Sequence, residues 1–306
     1  MEASWAEESP DFRVAALGAL EVGLSLADEP LLTQCLGDRR RETRQQAQQL
    51  LACLPESGLA QRMRARAETI LLFKRGLLSR QIEVVLPEAF DPKWKADAIE
   101  EKPPAGVGEK AHWIRQILAL VPVGHWLGRF SLAAADLIAL AQKSEWSEVL
   151  IDAWLHALPL GTPPGLAAAL FESVLVAPKQ APVGSAASER VAQLFAGCTA
   201  AERWTLTAQH GGERGLVWWC VPHLGASPSR ADARAVLRHL APALRDGTAP
   251  GGSPAAVAAA RAIPPELREE AGMLLQRDNG LSKPAEHFLQ ALDVRAAMHA
   301  AFAPHR

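Results

Sequence analysis

The chain has 306 residues, enough for two domains or one elongated one, with 49% hydrophobic and 22% charged side chains. A formal net charge of −2 excludes an all-over polyanion-binding surface, and four scattered cysteines (Cys35, Cys53, Cys198, Cys220) exclude a disulfide scaffold. The lack of Tyr leaves a large sheet short of its usual materials, whereas abundant Ala, Leu and Arg favour helix.

The acidic start MEASWAEESP lacks the order of a signal peptide, and no apolar run reaches the ~18 residues of a membrane span. A reducing cytoplasm is the expected location. Ser9-Pro10 opens a first helix with Val14, Leu17, Leu20 and Leu24 at helical spacing. Pro30 opens a short second helix. A third runs from about Arg39 to Leu54, its inner face Ala47, Leu50, Leu51 and Leu54.

Pro30, Asp38 and Arg44 have the order and spacing of the marked positions of a HEAT repeat. The resemblance covers about 30 residues and implies that Asp38 and Arg44 bond between neighbouring turns of a stack. Thr43 departs from the pattern, standing where an aliphatic residue is usual.

From residue 38 to 80, ten Arg/Lys face four Asp/Glu. A fourth helix is expected over 59–78, carrying Arg62, Arg64 and Arg66. These cations could meet phosphate, but no aromatics interleave for base stacking. QIEVVLP alternates like a strand and, without an evident partner, reads as an extended connector.

An irregular insertion rich in Pro and Trp follows near residues 82–110, through Asp91-Pro92, Trp94 and Pro103-Pro104. Ile114, Ile117, Leu118 and Val121 then form a buried helical face. Trp94, His112, Trp113, Arg115, His125 and Trp126 are the candidate partner-binding residues, because Trp and Arg dominate interface hot spots. The competing reading places Trp113 and Trp126 between helix layers.

The passages SPDFRVAALGALEVGLSLADEP, DRRRETRQQAQQLLACLP and PPAGVGEKAHWIRQILALVPVGHW resemble a bacterial family of unknown function, over roughly residues 9–160. The resemblance implies a helical, HEAT-like protein encoded near MoxR-type AAA ATPases, von Willebrand A-domain proteins and SWIM zinc-finger proteins. It carries over no catalytic residue.

The second half reads as further helices. Ser131 is expected to cap one through Lys143, and Ser144 to open the next. The polar run 177–188 is the best internal boundary. Thr199 and Glu202 form a capping box, Ser229 starts a long helix, and Pro284 to Ala303 forms the last. Cys198, His210, Cys220 and His223 are the one candidate zinc set, although their spacing fits no template. No nucleophile motif occurs, and no cofactor is expected.

The fold expected is all-α, a HEAT-like α-solenoid of stacked antiparallel helix pairs. Its segments would be 1–80, 81–130 and 131–306, within one continuous elongated domain. The function expected is a non-catalytic scaffold or adaptor with a protein partner, a bacterial AAA ATPase system being the candidate client. The alternatives are nucleic-acid binding through residues 38–80 and a zinc-dependent helical enzyme.

Overall fold

The computed structural model describes residues 5, 8–76, 79–176, 186–225 and 229–302. They are mainly helical, with one two-stranded sheet. The chain divides into two compact units, Met1–Ser173 and Val174–Arg306. The division lies just ahead of the polar run 177–188, of which residues 177–185 lie outside the described residues.

The first unit begins with α1 (Pro10–Ala19), α2 (Glu29–Cys35), α3 (Arg41–Ala52) and α4 (Gly58–Ile70). Successive helices joined by short links pack on one another, α2 and α1 against α3, and α3 against α4. The reason is the apolar spacing: Ala47, Leu50 and Leu51 of α3 and Leu59, Met63 and Ala67 of α4 are all buried. The α4 N-terminus is capped twice. Ser57 Oγ accepts from the Ala60 N–H at 3.1 Å, and Glu29 Oε1 accepts from the Gly58 N–H at 2.7 Å.

Here the sequence expectation fails. The helix does not continue to residue 78 but ends at Ile70, and LLFKR becomes β1 (Leu71–Arg75). It pairs antiparallel with β2 (Arg80–Val84), in the register Leu71↔Val84 to Arg75↔Arg80. The run that reads as a lone connector therefore has a partner. Burial explains the switch: Leu71 and Ile82 lie in the core, and Phe73 stacks on Phe130 at 5.3 Å between ring centres. Packing outweighs the modest helix propensity of Leu and Phe.

The irregular segment contributes a 3-10 turn, Pro92–Asp97. The unit then continues through α5 (Glu109–Leu118), α6 (Val123–Phe130), α7 (Ala134–Gln142) and α8 (Ser147–His156). α5 packs on α4 and α8, and α8 on α7. Ser131 does not open α7. It ends α6 in a left-handed conformation with φ 53°, and its N–H bonds to Gly128 O at 3.3 Å. α9 (Leu166–Val176) crosses the boundary between the units.

The second unit holds α10 (Ala186–Gly197), α11 (Ala200–His210), α12 (Leu216–Cys220), α13 (Arg230–Asp246), α14 (Gly252–Ala262), α15 (Arg268–Leu275) and α16 (Lys283–Ala301). α11 packs on α13, α13 on α15, and α14 along α16. The capping box forms as read: the Thr199 N–H donates to Glu202 Oε2 at 2.8 Å, and Thr199 Oγ1 accepts from the Glu202 N–H at 3.2 Å. Arg295 of α16 donates to the carbonyls of Ala260 and Ile263, at the C-terminal end of α14. A cation there meets both orphan carbonyls and the negative end of the helix dipole.

Candidate functional site

The HEAT-like positions come together as a knot of bonds. Asp38 pairs with Arg13 of α1 at 2.5 Å and accepts from the Arg40 N–H at 2.8 Å. Arg44 turns back to donate to the carbonyls of Asp38 (3.0 Å) and Arg39 (3.1 Å). Asp38 thus reaches back past α2 to α1, while Arg44 ties down the link before α3. Pro30 sits in the first turn of α2. Thr43 is fully buried and its hydroxyl finds no hydrogen-bond partner.

The irregular segment is fastened to α3, α4 and α5 by polar contacts. Asp97, only 2% exposed, receives Arg62 through Nε (3.0 Å) and Nη2 (2.5 Å) on one oxygen, and Arg66 Nη1 (2.6 Å) on the other. Arg62 and Arg66 are four residues apart on α4, so both reach the same carboxylate. Gln48 donates to the Asp97 carbonyl at 2.7 Å. Ala98 then turns through a left-handed conformation (φ 58°). Gln116 of α5 accepts from the Glu100 N–H at 2.8 Å and donates to the Glu100 carbonyl at 3.1 Å. Trp113 Nε1 donates to the Glu101 carbonyl at 2.8 Å.

A shallow cleft of about 340 Å³ opens on this segment, with Arg44, Lys95 and Lys102 among its lining cations. Its two carboxylates are already paired: Glu100 with Arg41 at 2.8 Å, and Glu101 with Lys95 at 2.7 Å.

The six residues expected to form a partner surface do not form one. Trp94, His112, Trp113 and Trp126 are buried. Trp94, Trp113 and Phe90 meet edge to face, with centres 5.3–6.3 Å apart. Arg115 pairs with Asp152 of α8 at 3.3 Å. His125 Nε2 lies 3.0 Å from Glu68 Oε1 of α4, beside Arg129. The aromatic residues fill space between helices, because burying such large side chains outweighs any benefit of presenting them to solvent.

Burial lowers the pKa of His112, and the Arg115 guanidinium lowers it further. Both of its ring nitrogens lack a hydrogen-bond partner. Burial lowers the pKa of His125 too, against the opposing pull of Glu68. Both shifts favour the neutral imidazole.

The zinc set is not assembled either. Among the described residues, no three His, Cys, Asp or Glu side chains are placed to hold a metal. Cys198 Sγ donates to the Leu194 carbonyl at 3.3 Å, His210 bonds to Glu213 at 3.1 Å, and His223 lies on the ring of Trp219. Burial pushes Cys198 up to about 11 and Cys220 up to about 12, which keeps them as inert thiols.

The basic stretch is largely occupied from within. Besides Arg62 and Arg66, Arg64 donates to the Pro55 carbonyl, Arg40 pairs with Asp11 at 2.6 Å, and Lys74 with Glu83 at 2.7 Å.

Sequence reasoning missed the outer side of α16. Its core face is Ala285, Phe288, Leu289 and Leu292. Val294 (59% exposed), Met298 (52%) and Phe302 (82%) recur every four residues on the opposite side and face solvent. Their spacing is visible in the sequence, but periodicity alone does not tell an outward apolar face from an inward one.

This fold of paired helices, knotted at Asp38 and Arg44, fits the family suggested by the passages quoted above. The chain matches, over residues 1–302, a family described as "Family of unknown function (DUF5691)". It belongs to that family. No curated protein and no solved structure matches the chain. No described helix is long and apolar enough to cross a membrane.

Proposed function

We propose that this DUF5691 member is a non-catalytic, cytoplasmic scaffold or adaptor that binds a protein partner. The observation that carries this reading is the second apolar face of α16, with Val294, Met298 and Phe302 turned away from the core. A helix apolar on both sides has more hydrophobic surface than its own unit covers, and such surface marks interaction sites. The buried thiols of Cys198 and Cys220, held protonated by burial, offer no ready nucleophile, which also supports binding over thiol chemistry.

Nucleic-acid binding is disfavoured because Arg40, Arg62, Arg64 and Arg66 already have internal acceptors. The AAA ATPase system implied by the sequence resemblance is the first partner to test.

The test is affinity capture from the native host, with the wild-type chain and with a Met298→Glu, Phe302→Glu double variant, followed by mass spectrometry. A protein held by the wild type in moderate salt and lost with the folded double variant is the expected result. Equal retention by both chains, or recovery of nucleic acid that dissociates steeply with salt, overturns the reading.

A further inference from the structure

Arg75 and Arg80 end the hairpin as directly opposed residues. The Gly76 N–H donates to the Ser79 carbonyl at 2.8 Å, which fixes the next pair inward, Arg75↔Arg80, as a non-hydrogen-bonded one. Such pairs bring side chains closest, with Cα atoms about 4.5 Å apart. Like charges so placed repel and destabilise a ladder.

Both arginines are exposed. Neither has a carboxylate partner among the described residues, although Lys74 on the other face is paired with Glu83. Arg75 is held over the Phe73 ring, 5.7 Å from its centre. Stacking uses the face of a guanidinium and leaves its in-plane N–H groups free for a bidentate acceptor.

We infer that the opposed arginines at the hairpin tip dock an acidic peptide segment of a partner protein, one carboxylate relieving the repulsion between two guanidiniums. The choice of peptide over nucleic acid follows from the small size of the patch: two cations on one strand pair match one or two carboxylates, not a continuous polyanion. This rests on the scaffold reading, and names the chemistry of the partner at a site separate from α16.

The test titrates the full chain with a fluorescein-labelled Gly/Ser peptide carrying one Glu-Glu pair, at low salt. Arg80→Glu places an acid opposite Arg75, so it should hold or raise the melting temperature while weakening the peptide at least about tenfold. Arg238→Glu, an equal charge change at an exposed site on α13, should weaken it less than about twofold. An Arg75→Gln, Arg80→Gln double variant gives the same readout should Arg80→Glu disturb the hairpin.

Equal effects of the tip and control variants overturn the proposal. So does tighter, tip-dependent binding of a single-stranded oligonucleotide or of anionic phospholipid vesicles. If Arg80→Glu still captures the partner that the α16 variant loses, the tip assignment fails and the scaffold reading stands.

Discussion

Replacing Asp97 with Asn tests whether the irregular segment is truly clamped. In the native chain one oxygen takes the two shorter Arg62 contacts, and the other takes Arg66 at 2.6 Å together with a longer contact from Arg62 Nε at 3.2 Å. The substituted side-chain amide would keep an oxygen for one arginine but turn an NH2 group towards the other. One charge-assisted bond, about 1.5–3 kcal/mol, is lost, and both guanidiniums lose their counter-charge.

Arg62 is 49% exposed and regains water, whereas Arg66 at 19% does not regain it fully. The net loss is about 3 kcal/mol, near the lower end for breaking a buried pair. At 2–4 °C per kcal/mol for a unit of this size, the melting temperature should drop by roughly 6–12 °C. Thermal unfolding followed by far-UV circular dichroism measures it. Arg66→Met removes the same contact, so the double variant should show coupling of about 2 kcal/mol. A drop below about 2 °C, or strictly additive losses, would refute the clamp.

Thr43→Val should stabilise the first unit by about 1 kcal/mol, because it removes a buried hydroxyl without a partner; a lowered urea midpoint would contradict that. The folded pKa values of His112 and His125 lie below the unfolded value of about 6.5, so the native state binds fewer protons. Their contribution is therefore complete above about pH 6.5 and is lost as pH falls through the folded values. A series of urea midpoints should decline below pH 6.5, and His112→Gln should flatten the decline. With a thiol reagent at pH 8, the native chain should react first at half-buried Cys53, while Cys35, Cys198 and Cys220 wait for unfolding. Identification of the first labelled peptide by mass spectrometry checks this.

Much of the helical architecture was legible because caps and apolar spacing are local signals. Ser9, Thr199 and Ser229 each cap the helix that follows, and the Ala47, Leu50, Leu51 face of α3 lies inward as its spacing implies. Asp38 and Arg44 were legible through their likeness to a HEAT repeat.

What stayed hidden depends on residues distant in the chain. Arg62 and Arg66 look like a solvated stripe until Asp97 arrives 35 and 31 positions later. LLFKR reads as helix until QIEVV and Phe130 supply a pairing edge and a packing surface. Trp113 and Trp126 carry the composition of a hot spot, and only the neighbours they pack against turn them into core. The outward side of α16 was missed for the opposite reason: nothing local marks which side of a helix stays uncovered among the described residues.

The trio of Phe90, Trp94 and Trp113 also has an optical consequence. Indoles held edge to face at 6.3 Å couple their transitions, so the segment carries its own chiral near-ultraviolet signature. Because Trp94 belongs to the turn that Asp97 closes and Trp113 to the helix beneath it, any loosening of that turn would be seen directly as a change in this band, with no label attached.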